Sequence, residues 1–327
     1  WFSGIGHPLE SSRRVCHKPS VVQRFPKSGY YYPLTGQWSD NSHHRWAIAL
    51  WDAMRASEPA ALHKLVGDLT TELRSTGLGE NAIILSSEIF EKLPIHAKGR
   101  KILEELFDTL DVDVEVVAFL RRQDLLIESW FKQWVKDVNR RISVPPERFI
   151  GEQSRFLDYN ELLSMWRSLP RVRDLKIATN ALVHNPIDEM ERLLDLDIVD
   201  RKGNRSEVVN ASLDGEALRL KYFVNRFPLT PEEDLEVLSC IDRMEISRER
   251  LDLFSEEERA TFVGRFAQSN ALLAKTYRVD DFETPASGRP VPRFSAELDE
   301  VARNNLLGLG SINLRFAKLM EERDRSA

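Results

Sequence analysis

The sequence has few of the features that mark secreted, membrane-spanning or metal-binding proteins. Its two cysteines, Cys16 and Cys240, cannot build a disulfide framework and do not have the spacing of a metal site. No apolar run approaches the roughly 20 residues that cross a bilayer, and Val116–Leu120 has only five. The chain does not begin with a basic segment followed by an apolar one, so we expect no secretion signal and a cytoplasmic protein.

Charge of one sign is not concentrated anywhere along the chain. The 46 basic and 52 acidic residues give a net charge of −6, and lysines and arginines form no block. This distribution argues against a nucleic acid or an anionic membrane as the partner. A Gly-x-x-x-x-Gly-Lys-Ser/Thr signature and a convincing magnesium-binding carboxylate are also lacking, which disfavours a P-loop kinase and predicts no metal.

Short apolar runs alternate with longer amphipathic stretches, which is typical of an α/β fold with a mainly parallel central sheet between helices. Four runs rich in branched and aliphatic residues predict strands at Phe2–Gly6, Ala82–Ser86, Val114–Leu120 and Leu175–Thr179. Three stretches with one apolar face predict helices at about 46–54, 62–73 and 124–140. The class we expect is therefore α/β.

The last third of the chain is predicted to be helical. Thr230 and Ser255 each precede a glutamate by three residues, the pattern of a capping box, and the second helix should run to about Tyr277. No strong linker occurs before residue 280, which favours one domain over residues 1–327. We divide it into an α/β core (1–204), a helical part (205–282), and an irregular connection with a helical tail (283–327).

A strand that ends in Arg121 and a helix that carries Ser129 form the most informative segment. The carboxyl ends of parallel strands and the amino ends of the helices that follow are where such sheets bind ligands, anions above all. An arginine and a hydroxyl that converge there would hold a phosphate through charge-assisted hydrogen bonds. Both residue types are common at such places, so the pattern alone also fits an ordinary strand-to-helix turn.

The same segment resembles the 3′-phosphate-binding element of sulfotransferases that use 3′-phosphoadenosine 5′-phosphosulfate (PAPS). More specifically, the chain resembles the bacterial sulfotransferase-like family linked to surface polysaccharides. The stretches that carry this resemblance occur in the family's order: Gly29–Pro33, His43-His44, Ile84–Glu88, Val209–Leu213 and Phe266–Ala274. The resemblance implies a P-loop NTPase-like three-layer fold, PAPS as co-substrate, and a carbohydrate or glycolipid acceptor.

Residue roles follow from the resemblance. Arg121 and Ser129 would clamp the 3′-phosphate, and Glu88, at the end of a strand, would be the base that takes the acceptor proton. Glu88 also fits a carboxylate that stabilises a helix start. His43 and His44 lie about 100° apart on a helix and cannot face one ligand together, and we favour His44 for the acceptor site. Asn210 and Ser212 fit either helix caps or a ligand contact.

The N-terminal segment departs from the family. A working member carries a loop like Pro-Lys-Thr-Gly-Thr-Thr after its first strand, whose N–H groups and lysine bind the phosphosulfate. Here Gly6-His7-Pro8 is followed by residues 9–14, which contain neither that lysine nor that glycine and place Glu10 where an anion should bind. Ser11 and Ser12 are the hydroxyls that remain for the phosphosulfate. Pro26–Gly29 spells a similar loop but leads into three tyrosines rather than a helix start.

Two functions therefore stay open. The first is an enzyme that transfers sulfate from PAPS to a polysaccharide or a lipid-linked glycan without a metal. The second is a catalytically impaired homologue that binds the nucleotide or a glycan.

Overall fold

The computed structural model describes residues 24–25, 29–38, 42–55, 59–76, 82–179, 186–196, 213, 215–247, 249–279, 282, 292–295 and 300–324. The first two strands are β1 (Arg24–Phe25) and β2 (Tyr30–Tyr31), followed by α1 (His44–Arg55), α2 (Ala60–Thr76) and β3 (Ala82–Ile83). The central elements are α3 (Ala97–Leu110), β4 (Val114–Phe119), α4 (Gln123–Lys136), α5 (Pro146–Gln153), α6 (Tyr159–Arg167) and β5 (Val172–Ala178).

The remaining elements are helices. They are α7 (Pro186–Leu194), α8 (Gly215–Val224), α9 (Pro231–Arg243), α10 (Glu256–Gly264), α11 (Ala267–Tyr277), α12 (Glu300–Ile312) and α13 (Leu314–Asp324). Short 3-10 turns occur at Glu88–Phe90, Leu93–Ile95 and Ser154–Phe156. In the described part of the chain after residue 196, β structure consists of one isolated bridge between Asp252 and Arg293, so the helical last third is confirmed there.

The strands form two small sheets in the described residues, and the expected single central sheet is not seen there. In one sheet β2 lies between β1, its antiparallel neighbour, and β3, its parallel neighbour. The other is the parallel pair β4–β5. Ile84, just after β3, belongs to the same small apolar cluster as Val117 of β4, so side chains rather than a hydrogen-bond ladder connect the two sheets. The α/β class with parallel pairing is therefore present.

Strand boundaries differ from those predicted for physical reasons. β3 ends at Ile83 rather than Ser86, because the backbone of Ser86 bonds to His43: His43 N–H donates to Ser86 O at 2.7 Å. β5 begins at Val172, three residues before the predicted start. The sequence did not reveal this first half of the strand because Arg173 and Asp174 are charged and exposed, which leaves no apolar pattern there. The predicted strand Phe2–Gly6 lies outside the described residues.

The sequence predicts the first residues of the helices more accurately than the last ones. The capping boxes of Thr230 and Ser255 are both present. The helix predicted over 124–140 ends at Lys136, because Asp137 leaves the helical conformation and its carboxylate accepts from Asn139 N–H at 2.8 Å. The helix predicted to run from Ser255 to Tyr277 is two helices, α10 and α11. It breaks after Gly264, a residue that costs helix stability.

Helix α4 is central to the core. It packs against α5, α8 and α10, and its Phe131 is fully buried in edge contacts with Phe149 and Phe294. The largest cluster of buried side chains extends from Trp46 in α1 to Leu319 in α13. No helix in the described part of the chain is long and apolar enough to cross a membrane. Whether residues 1–327 fold as one unit stays a prediction.

Candidate functional site

His43 holds together the two segments that precede the candidate site. The imidazole is fully buried, its Nε2 lies 2.9 Å from Pro33 O, and its Nδ1 accepts from Ser86 N–H at 3.1 Å. Since Nδ1 accepts a hydrogen bond, the proton is on Nε2, which donates to Pro33. Burial lowers the pKa of His43 from 6.5 to about 4, although the hydrogen bond to Pro33 and the charge of Glu72 oppose this. His43 is therefore a neutral structural residue.

His44 lies beside the candidate base. It is the first residue of α1, and its Nδ1 is 2.8 Å from Ser87 Oγ while its Nε2 is 3.5 Å from Glu88 Oε1. Ser87 Oγ also accepts from Ile89 N–H and so caps the 3-10 turn that begins at Glu88. Because Ser87 can donate its own proton to Nδ1, the remaining imidazole proton on Nε2 faces the carboxylate. The two catalytic candidates, His44 and Glu88, are thus brought together.

The His44–Glu88 pair is mostly buried but keeps some contact with solvent. The side chain of His44 is 4% exposed and that of Glu88 is 15% exposed, and the indole ring of Trp38 contacts the imidazole edge-on at 5.3 Å. An imidazole that is held on both nitrogens orients the carboxylate next to it, which is the arrangement a general base needs. Glu88 also begins a helical turn, as its alternative interpretation requires, so the contact does not by itself assign catalysis.

Arg121 lies two residues after the end of β4, and its side chain is partly buried. Its carbonyl oxygen accepts from Tyr159 Oη at 2.6 Å, which fixes the backbone. Its guanidinium Nε is buried and has no hydrogen-bond partner among the residues that the structure describes. Burial lowers the pKa of Arg121, although Glu128, Tyr159 and Asp124 act in the opposite direction. A buried donor without an acceptor is costly, so an anion at this position would stabilise the structure.

The first turns of α4 contain a dense charge network. Asp124 pairs with Arg122 at 2.6 Å and also with Arg259 of α10. Burial alone would raise the pKa of Asp124, but hydrogen bonds from Arg122 and Arg259 lower it overall. Glu128 accepts from Arg259 at 2.8 Å and from Leu253 N–H at 3.1 Å. The acidic side chains closest to Arg121 are thus already engaged by other cations.

Ser129 lies in the second turn of α4 and is partly exposed, as is Leu125 one turn before it. Its hydroxyl makes no hydrogen bond to any other part of the described chain, so it is available to a ligand. Joint binding of one phosphate by Ser129 and Arg121 stays a prediction. Among the described residues, no group of three or more histidines, cysteines or carboxylates is placed to hold a metal ion.

Helix α6 connects the segments that follow β3 and β4. Tyr159 at its start contacts the backbone of Arg121, and Trp166 Nε1 near its end donates to Glu91 O at 3.3 Å. Lys92 extends from the β3 side over the ring of Trp130 in α4, 3.8 Å from its centroid. The two predicted parts of the site, around Glu88 and around Arg121, therefore pack against the same helices.

Sequence reasoning missed the long-range partners of this region. The pairing of Arg259 with Asp124 was not expected, and neither was the buried reciprocal amide pair Gln123–Asn270, with bonds of 2.7 and 3.2 Å. Polar residues in the otherwise apolar stretch Phe266–Ala274 were the available signal for Asn270. Ser11, Ser12, the segment 9–14, Asn210 and Ser212 lie outside the described residues, as do three of the four residues of Pro26–Gly29.

Comparison with known proteins adds little to this geometry. No family model matches the chain, and no solved structure matches it. The chain is similar to an uncharacterized protein of Archaeoglobus fulgidus, with 28% identity over 209 residues, which is 60% of this chain and 53% of the archaeal protein. The chain thus spans about half the length of this relative.

Proposed function

We propose that the chain is a sulfotransferase-like protein with a P-loop-type α/β fold, which transfers sulfate from PAPS to a carbohydrate or glycolipid acceptor. The observation that carries the proposal is the buried Nε of Arg121, just after the carboxyl end of β4, which has no hydrogen-bond partner in the described part of the chain. A strand end of this kind, followed by a helix amino end, is where α/β folds bind anions. The 3′-phosphate of the nucleotide would supply the missing acceptor.

In this proposal the described residues bind one end of the nucleotide. Arg121 would pair with the 3′-phosphate, and Ser129 would donate its hydroxyl to the same group. This part of the site contains four arginines and three carboxylates, so it retains one positive charge. The arginines are Arg121, Arg122, Arg250 and Arg259, and the carboxylates are Asp124, Glu128 and Asp252. The segment expected to bind the phosphosulfate end lies outside the described residues.

Glu88 would act on the acceptor. The bound donor supplies a sulfuryl group, whose sulfur–oxygen bond to the nucleotide phosphate breaks as a new one to the acceptor oxygen or nitrogen forms. Glu88 takes the proton that the acceptor loses, and His44 holds the carboxylate from 3.5 Å through Nε2. The side chain of Glu88 is 15% exposed, so few water molecules compete with the acceptor for the carboxylate.

A second function is favoured by the sequence of residues 9–14. Without the lysine and glycine of a phosphosulfate loop, the chain would lack donors that are each worth about 10²–10³ in rate. An impaired homologue that binds the nucleotide or a glycan would retain the Arg121 site. Following conversion of PAPS to the desulfated nucleotide with a pool of glycan acceptors separates the two functions.

Calorimetry with 3′-phosphoadenosine 5′-phosphate tests the site under either function. We expect weak binding by the wild-type chain and a loss of about 10- to 150-fold, to below detection, in Arg121→Ala, because a hydrogen bond to a charged group is worth about 1.5–3 kcal/mol. Arg74→Ala removes an exposed arginine of α2 and serves as the matched control. Equal affinities of wild type and Arg121→Ala would refute the assignment.

A further inference from the structure

A groove with a volume of about 360 Å³ lies where α6, β5 and α11 meet. Its polar lining includes Arg167, Arg173, Asp174, Thr276, Tyr277 and Arg278. We call it the arginine groove. Three guanidinium groups from three separate elements border one cavity, together with a single carboxylate, so the lining has an excess of positive charge. The apolar Val172 and Leu175 complete its floor.

Two of the three arginines have no acidic partner in the described part of the chain. Arg173 forms an ion pair with Asp113 at 3.0 Å. By contrast, Arg167 and Arg278 form no ion pair with any other part of the described chain. The Oδ1 atom of Asp174 accepts a hydrogen bond from Leu175 N–H at 2.8 Å. Two guanidinium groups of the groove, those of Arg167 and Arg278, therefore have no acceptor among the described residues.

The arginine groove is separate from the candidate functional site. It is at the amino end of β5, whereas Arg121 follows the carboxyl end of β4, and these two strands are parallel. A strand rises about 3.3 Å per residue, so the seven residues of β5 separate the two edges by roughly 20 Å. A ligand in the groove would not be the same molecule that Arg121 is proposed to hold.

We propose that the arginine groove binds the phosphate or sulfate ester of a small polar molecule such as a sugar. Planar guanidinium groups match the oxygens of such esters and bind them with two parallel hydrogen bonds. The volume falls in the range of about 300–1,000 Å³ that small-molecule sites occupy, so it has room for more than an inorganic ion. Thr276 and Tyr277, which also line the groove, would contact the body of the ligand.

Calorimetry with glucose 6-phosphate and glucose 6-sulfate tests this proposal on the full chain. We expect both esters to bind, glucose not to bind, and inorganic phosphate and sulfate to bind more weakly than the esters. Arg167→Gln and Arg278→Gln should each weaken binding about tenfold or more, since each removes a charge-assisted pair. The side chains of both arginines are exposed, so neither variant should disturb folding, which circular dichroism would verify.

Two control variants make the result specific. Arg74→Gln, the same charge change on α2, should leave ester binding intact, and so should Arg121→Ala. The proposal is overturned if no ester binds, if the double variant Arg167→Gln/Arg278→Gln retains wild-type affinity, or if inorganic phosphate binds as tightly as its ester. Loss of ester binding in Arg121→Ala would also overturn it, because the ligand would then occupy the proposed nucleotide site.

Discussion

The substitution His43→Gln tests whether folding buries a neutral imidazole between β2 and β3. The wild-type side chain is fully buried and has a pKa of about 4, mainly because of burial. Its Nδ1 accepts from Ser86 N–H, so a proton that binds to Nδ1 removes that hydrogen bond and leaves a buried charge. Glutamine retains an N–H donor for Pro33 O but does not titrate.

The size of the expected stability change follows from the difference between the pKa of His43 in the folded chain and in the unfolded chain. As the pH falls from 6.5 toward 4, the unfolded chain takes up a proton on residue 43 that the folded chain does not. The contribution of His43 to stability is therefore complete above about pH 6.5 and is lost toward pH 4. A pKa lowered from 6.5 to about 4 corresponds to about 3 kcal/mol over the whole interval. Between about pH 7 and pH 4.5, the loss of stability that His43 causes is about 2 kcal/mol.

Urea unfolding at these two pH values, followed by tryptophan fluorescence, measures the effect. We expect His43→Gln to be less stable than wild type at pH 7 but to lose about 2 kcal/mol less on acidification. His63→Gln changes an exposed histidine of α2 and should keep the wild-type pH dependence. If His43→Gln loses as much stability in acid as wild type does, the buried neutral imidazole is not responsible.

Three further substitutions have defined outcomes. Ser129→Ala should weaken binding of the desulfated nucleotide by about tenfold, less than Arg121→Ala does, since it removes a neutral donor; a larger loss in calorimetry would reverse their roles. Glu88→Gln should lower sulfate transfer about a hundredfold with nucleotide affinity unchanged, whereas parallel losses in both would indicate a structural carboxylate. Lys221→Met should cost about 1.5–3 kcal/mol in urea unfolding, because the fully buried Asp234 loses the ammonium partner 2.9 Å away and keeps only Arg141 at 3.4 Å; wild-type stability would contradict this.

Much of the local structure was predictable because short-range chemistry determines it. β4 was expected because a run of branched and aliphatic residues favours a buried strand, and the starts of α9 and α10 because a hydroxyl and a glutamate three residues later satisfy the first N–H groups of a helix. Helix ends were less predictable. Asp137 ends α4 through a side-chain bond that competes with the helix, and the apolar pattern does not reveal that choice.

The sequence by itself determined the α/β class, the helical last third and the residue types available for a site. Only the tertiary structure decided which of them meet. His44 and Glu88 are 44 positions apart and lie 3.5 Å from each other, and Arg259 pairs with Asp124 over 135 positions. Periodicity and capping report interactions within a few residues, whereas these contacts depend on how helices and sheets pack over the whole core. For the same reason, the unpartnered Nε of Arg121 could be recognised only once its neighbours were in place.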